Sequence, residues 1–333
     1  MKINKTLILG AGSWGTALAI HLSHYGHNTS LWSHNLEHSH ELKKYRENKR
    51  YLPNIPLPDT LTITHDWKNE ISTADIVLIC VPSHAYEVTI KQIAPYIQKQ
   101  GVLWATKGFC QKSYKFLHEI TKENLPKGTP SAILTGPSFA KEVAKLMPTA
   151  VLIASENKTF AKTTQELFKS PTFRSYITSD IIGAQIGGAV KNVLAIATGI
   201  SDGMGFGANA RAGLITRGLA EMVRLGEALG ANKNTLMGLS GIGDLILTCT
   251  DNQSRNRRYG IALGKGLSSE EANKEIGQVV EGVPTTKSIY NLAKLNHINM
   301  PIVNQIYEVL YHDISPKSAF YNLMNRTEKQ EQN

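Results

Sequence analysis

At 333 residues, 41% of them hydrophobic, the chain is long enough to fill more than one core, and two domains are expected. The net charge of +9 is spread along the chain and comes with no zinc-finger or RNA-recognition signature, so nucleic acid is not an expected partner and anionic small molecules are. Three cysteines, odd in number and far apart (Cys80, Cys110 and Cys249), exclude a disulfide framework and suit a reducing cytoplasm.

The N-terminus runs straight into a strand, with no cleavable leader expected, and no apolar run reads as long enough to span a bilayer. TLILGA (6–11) is a short apolar strand ending in glycine, ALAIHLSHYG (17–26) has helical spacing, and NTSLWS (28–33) is a second strand. KKYRENKR (43–50) reads as a solvated helix face and PNIPLPD (53–59) as a proline-punctuated loop. DIVLICVP (75–82) is nearly all apolar, as a strand covered on both faces of a parallel sheet should be. GVLWATKG (101–108), SAILTGP (131–137), TAVLIAS (149–155) and FRSYITS (173–179) continue the series. Strands alternating with helices predict an α/β domain, a doubly wound, Rossmann-like, mainly parallel sheet. After Asp180 no strand pattern follows, and helices are expected over 181–200, 208–229, 255–264, 282–295 and 301–311. The expected division is a dinucleotide-binding domain over 1–180, an all-α substrate and catalytic domain over 181–328, and a polar tail over 329–333.

LGAGSWGTALA holds Gly10, Gly12 and Gly15, a G-x-G-x-x-G between a strand and a helix. Gly10 permits the tight turn, Gly12 lets backbone approach a pyrophosphate, and Gly15 lets helix pack on strand. The helix amides and dipole then face the phosphates. The end of the second strand carries Ser33 and His34, where an acid would grip the ribose 2′-hydroxyl of NAD. Nothing there repels a 2′-phosphate and His34 can lie against it, so NADPH is expected to be accepted, although no arginine stands at the strand end. Lys107, directly after an apolar strand, is either an end-cap or a cation aimed into the cleft. Gly136, Pro137 and Ser138 form a strand-to-helix turn in which proline and serine suit a helix start.

GGAVKNVLAIATG (187–199) carries one ammonium, Lys191, in a helix otherwise free of charge from Asp180 to Asp202. A buried ammonium is costly unless paired, and desolvation lowers its pKa into the range useful for acid/base work. The alternative is a stem that packs and a head that reaches water. Asp244, the sole charge of LSGIGDLILTCT, is a candidate partner for Lys191 or a substrate hydroxyl, or else a helix cap. TDNQSRNRRYG then gathers Asn252, Ser254, Arg255, Asn256, Arg257 and Arg258 before a helix, a pattern suited to a phosphate, with one arginine on ligand and the others structural or exposed. Glu281, between glycines, is a possible ribose or amide contact. No metal site is read. A nucleotide cofactor, a small anionic substrate and a proton donor together point to hydride transfer to a carbonyl on a phosphorylated small molecule.

GAGSWGTALA, VPSH, WATKG, GPSFAKE, GGAVKNV, SDGMGFGANARA, TRGLAEM, GIGDLILTCT and NQSRNRRYG occur in this order over about residues 5–325. In these the chain closely resembles the bacterial NAD(P)-dependent glycerol-3-phosphate dehydrogenases. The resemblance implies reversible reduction of dihydroxyacetone phosphate to sn-glycerol 3-phosphate, a phospholipid precursor, with NADPH or NADH, in a cytoplasmic homodimer that is not an integral membrane protein. It implies Lys191 as the acid/base at C2, Asp244 orienting it or the substrate, and Lys107 touching substrate and cofactor. Gly136 and Ser138 would lie along the substrate, and Ser254, Arg255 and Asn256 would take the phosphate region, Arg255 also nearing the cofactor. Ser13, Trp14, His34, Ala140, Val279 and Glu281 would follow the dinucleotide. Two alternatives are a related 3-hydroxyacid dehydrogenase, which would not need the basic cluster at 254–258, and a dinucleotide-sensing module, which would tolerate loss of Lys191 or Asp244.

Overall fold

The computed structural model describes residues 3–327; the expected tail at 329–333 lies outside them. Among the described residues ten strands occur: β1 (Lys5–Leu9), β2 (Asn28–Trp32), β3 (Glu47–Asn48), β4 (Leu52–Pro56), β5 (Thr62–Thr64), β6 (Ile76–Ile79), β7 (Gly101–Trp104), β8 (Ser131–Thr135), β9 (Thr149–Ala154) and β10 (Phe173–Thr178). Eight form one sheet in the order β10-β9-β8-β7-β6-β1-β2-β5. Neighbours are parallel except β8 and β9, which pair antiparallel. The chain therefore leaves β1 toward one edge and returns through β6 toward the other. That reversal opens a crevice beyond the carboxyl ends of β1 and β6, where a doubly wound sheet takes its ligands. All four residues of β6 and of β7 are buried, because helices such as Ser13–His24 and Ser83–Ile93 flank the sheet.

The segment PNIPLPD is not the plain loop its prolines suggest. Leu52–Pro56 pairs with Glu47–Asn48 in a two-stranded ribbon, which tolerates Pro53 and Pro56 because an edge strand can do without their N–H groups. KKYRENKR is likewise helical only to Tyr45; Arg46 turns left-handed at φ 48° and sends the chain into β3. The three-residue β5 at the sheet edge carried no sequence pattern that announced it.

From Ile181 onward the described chain is helical. Ile181–Gly203 is a core helix, lined on all sides by other elements. It is in fact long and apolar enough to cross a bilayer, contrary to the expectation from the sequence, but 94% of its most apolar stretch is buried inside the protein. Helix Arg255–Gly264 crosses it backbone to backbone. A Cβ at Gly199 would lie 2.2 Å from the Arg257 carbonyl oxygen, and one at Gly260 would lie 2.2 Å from that of Ile196. This contact brings the basic turn at 254–258 alongside the turn that carries Lys191. Asn256 then donates to the side-chain oxygen of Asn192 at 2.9 Å. Helices Asp244–Thr250, Ser269–Ile276 and Pro316–Met324 were not among the expected elements; the second starts at a Ser268/Glu271 capping box.

Candidate active site

The glycine turn behaves as its spacing demands. Gly10 has φ +118°, and a Cβ there would lie 2.9 Å from the backbone carbonyl carbon and oxygen of Cys80, so the β1 turn passes directly over the end of β6. Gly15 faces inward: a Cβ would lie 2.0 Å from the Gly10 carbonyl oxygen, which locks helix Ser13–His24 onto its own entry turn. At Gly12 a Cβ would meet nothing within 4 Å, and no side chain caps this helix, so its first-turn amides open toward the cleft. The Trp14 indole nitrogen is buried there without a partner. These features fit a pyrophosphate-bearing cofactor.

The cleft between sheet and helices has a volume of about 800 Å³. Its wall contains Gly10, Gly12, Ser13, Trp14, His34, Lys107, Ser138, Ala140, Lys191, Asp244, Ser254, Arg255, Asn256, Val279 and Glu281. Gly15 and Gly136 stand behind the wall; Gly136 presses against β9, with Val151 Cα 3.2 Å from where its Cβ would be. Ser138 does not cap a helix. Its hydroxyl donates to the Gly136 carbonyl at 3.0 Å, and helix Ala140–Ala144 begins after Phe139 with no side-chain cap. Ser254 does cap, accepting from the Arg257 amide at 3.2 Å. Glu281 accepts from the Ser83 amide at 3.2 Å and from its hydroxyl at 2.7 Å, tying the helical region to the start of helix Ser83–Ile93.

At the inner end three charges meet. Lys191 is 7% exposed and Asp244 1% exposed. The Lys191 ammonium donates to Asp244 Oδ1 at 2.9 Å and to Thr248 Oγ1 at 2.8 Å. Lys107, from the loop after β7, donates to Asp244 Oδ2 at 2.6 Å and to the Gly136 carbonyl at 3.4 Å. Asp244 opens helix Asp244–Thr250 rather than capping it; Gly243 is the cap. Thr248 follows one turn later and donates to the Asp244 carbonyl at 2.6 Å. Only that i+4 spacing in the sequence could have nominated Thr248.

Burial pushes the Lys191 ammonium down to about 8; Asp244 works against this, and the nearby Lys107 works with it. For Asp244, burial favours the protonated acid, but the two ammoniums outweigh burial and hold the carboxyl below its usual range. An ammonium has three donors. Two of those on Lys191 are engaged, and the third remains for a ligand in the cleft. A cation cluster with one proton to give, at the end of a cradle that fits a dinucleotide, can protonate an oxygen as hydride arrives at its carbon.

The basic turn sorts its arginines. Arg257 is buried and structural: it donates to the Cys249 carbonyl at 3.1 Å, to Asp202 Oδ2 at 2.5 Å, and to Asn252 Oδ1. It thereby joins the ends of the helices that carry Lys191 and Asp244. Arg255 and Arg258 remain at the cleft.

Comparison with known proteins agrees with this geometry along nearly the whole chain. The family model described as NAD-dependent glycerol-3-phosphate dehydrogenase N-terminus matches residues 5–161, and the C-terminus model of the same family matches 180–321. A glycerol-3-phosphate dehydrogenase (NAD(P)+) of Pseudoalteromonas translucida is 52% identical over 326 residues, 97% of both chains. One of Bartonella tribocorum is 51% identical over 333 residues, covering 99% of this chain and 100% of its own. The crystal structure of glycerol-3-phosphate dehydrogenase from Coxiella burnetii superposes with a TM-score of 0.94 at 46% identity, over 97% of this chain and 99% of its own. A glycine cradle, a buried lysine–aspartate–lysine cluster and a basic turn in one cleft, on a chain alike from end to end, leave one assignment: the protein belongs to the NAD-dependent glycerol-3-phosphate dehydrogenase family.

Proposed function

We propose that this chain is an oxidoreductase that reversibly reduces dihydroxyacetone phosphate to sn-glycerol 3-phosphate with NADPH or NADH. Residues 1–180 hold the dinucleotide and 181–328 supply substrate and acid/base groups. The observation that carries the reading is the Lys191 ammonium, buried, paired with Asp244, and left with one donor facing the cleft.

A bound nicotinamide supplies the hydride to C2 of the substrate. Lys191 gives its free proton to the developing alkoxide and regains one from water. Electrostatic stabilisation at such an oxygen is strong where the charged groups are as buried as Lys191 and Asp244. Asp244 keeps the two lysines in register and screens each from the other. Lys107 steadies the same oxygen region from the sheet side, beside Ser138. The substrate phosphate sits against Arg255 and the first amides of helix Arg255–Gly264. Asn256 is pinned there by the Gly282 amide, which donates to its Oδ1 at 2.9 Å. Ser13, Trp14, His34, Ala140, Val279 and Glu281 follow the dinucleotide along the cleft.

The test is NADPH or NADH oxidation with dihydroxyacetone phosphate, and with phosphate-free dihydroxyacetone as control. Turnover that needs the phosphate supports the reading; equal turnover of both, or of neither, overturns it. A 3-hydroxyacid dehydrogenase would give the basic turn nothing to hold. A homodimer working in the cytoplasm completes the reading, supported by the family resemblance and the three free cysteines. Sedimentation of the purified chain at twice the monomer mass of 36.6 kDa is expected.

A further inference from the structure

The end of β2 offers a 2′-phosphate neither an acid to repel it nor an arginine to hold it. The fold fastens to that strand end a turn from a different segment, and that turn carries a cation. Asn48, 1% exposed, is the anchor. Its amide nitrogen donates to the Ala11 carbonyl at 3.0 Å and lies 2.7 Å from Thr16 Oγ1, so β3 is bolted to the glycine turn itself. Its side-chain oxygen accepts from the Tyr51 amide at 3.2 Å and faces His38 Nε2 at 3.1 Å. His38 Nδ1 in turn lies 3.0 Å from Ser33 Oγ, at the end of β2. The turn between β3 and β4 is thus fixed to both the phosphate cradle and the strand end. Its last two residues are Arg50 and Tyr51.

Tyr51 lines the cleft together with Ser33, His34 and His38, and the Arg50 guanidinium carbon lies 5.2 Å from its ring centroid. The Arg50 carbonyl accepts from Gln278 at 3.4 Å, which joins the turn to the loop that carries Val279 and Glu281. The Arg50 side chain is exposed, and among the described residues no carboxylate lies within ion-pair distance of it. Glu47, the acid of the ribbon, is occupied by the Asn54 amide at 2.8 Å. A guanidinium held over the ring of a residue that lines the cleft is placed to offer its planar pair of donors to two oxygens of a phosphate.

We propose that Arg50 is the specificity-determining residue of this enzyme, recognising the 2′-phosphate of NADPH from the β3–β4 turn in place of the strand-end arginine that is missing. The proposal rests on the reading that the cleft binds a nicotinamide dinucleotide. It also gives the ribbon, which the sequence reading had as helix and loop, a part in the chemistry.

The experiment is calorimetric titration of the full chain with adenosine 2′,5′-bisphosphate and with AMP, in wild type, Arg50→Ala and Arg50→Lys. NADPH and NADH kinetics run alongside. Wild type is expected to bind the bisphosphate at least about tenfold tighter than AMP. Arg50→Ala should lower bisphosphate affinity and NADPH kcat/KM about tenfold while AMP affinity and NADH kcat/KM hold, since a charged pairing of this kind contributes on the order of one decade. Arg50→Lys should recover part of the loss. A merely structural role would move AMP and bisphosphate together, and that result overturns the proposal. So does an unchanged ratio in Arg50→Ala, or a wild type that does not distinguish the two nucleotides. Failure of the parent reading looks different: neither nucleotide binds, and neither cofactor is oxidised with dihydroxyacetone phosphate.

Discussion

The two ends of the cleft are built by different means. The pyrophosphate cradle proposed for the cofactor is a contiguous turn that presents backbone. Gly10, Gly12 and Gly15 lie within six residues, and what they offer is amides and open space. The substrate end is made of side chains gathered from far apart: Lys107 meets Asp244 across 137 positions, and Lys191 meets it across 53. A backbone site tolerates side-chain loss and fails when its dihedral angles are blocked. A side-chain site fails when one charge is removed, because its partners are left buried and unpaired.

The largest expected effect lies at the substrate end. Lys191→Ala should lower kcat for dihydroxyacetone phosphate reduction about 10³-fold, the usual scale of a lost general acid, while NADPH still binds. Stopped-flow turnover together with cofactor fluorescence titration reads both; near-normal kcat would remove the acid/base role. The same lysine sets a pH profile. Burial lowers its pKa to about 8, so the proton-donating form is present below that value and is lost above it. Carbonyl reduction should therefore fall about tenfold per pH unit above that point, and glycerol 3-phosphate oxidation should gain over the same window.

Asp244→Ala should come next. It strands two ammoniums facing one another and should cost about 3 to 5 kcal/mol of stability, read as a shifted urea midpoint. An unshifted midpoint would mean that the lysines are not held by this carboxylate. Gly10→Ala tests the other end: φ +118° and the clash with Cys80 should raise Kd for both cofactors more than tenfold, on the order of the 1 to 3 kcal/mol typical of such strain. Thr248→Val removes one acceptor from Lys191 and should lower kcat roughly fivefold, about 1 kcal/mol, with cofactor affinity unchanged. The smallest effect sharpens the contrast. Ser13→Ala in the cradle should change NADPH affinity less than twofold, because the contact proposed for Ser13 is made by its backbone amide and not its hydroxyl. A tenfold loss there would mean that the glycine cradle, and not only the 2′-phosphate rim, depends on side chains.

Much of this was legible in advance. Apolar runs such as that around β6 announced the buried strands, and the absence of strand patterns after Asp180 announced the helices. The ribbon of β3 and β4 was not legible, since Pro53 and Pro56 argue for a loop unless one knows that the strand lies at an edge. The antiparallel pairing of β9 on β8 leaves no trace in composition either. Within the site, Lys191 and Asp244 stood out as single charges in apolar surroundings. Thr248 did not, because a threonine in a helix is unremarked until the residue one turn before it proves to be paired. Among the arginines of NQSRNRRYG, residue type gave no means of telling the structural Arg257 from the cleft-facing Arg255.

The sequence by itself determined the alternation of strand and helix, the glycine turn and the anomaly of an ammonium in an apolar helix. Each of these is a short-range property: a side-chain period of 2 or 3.6, a positive φ, a charge counted against its neighbours. The tertiary structure alone decided that Lys107, Lys191 and Asp244 share one buried cluster, which arginines of the basic turn line the cleft, and that Arg50 lies over Tyr51, a residue of the cleft wall. These depend on which distant segments meet and how much water they exclude, and no local pattern carries that information.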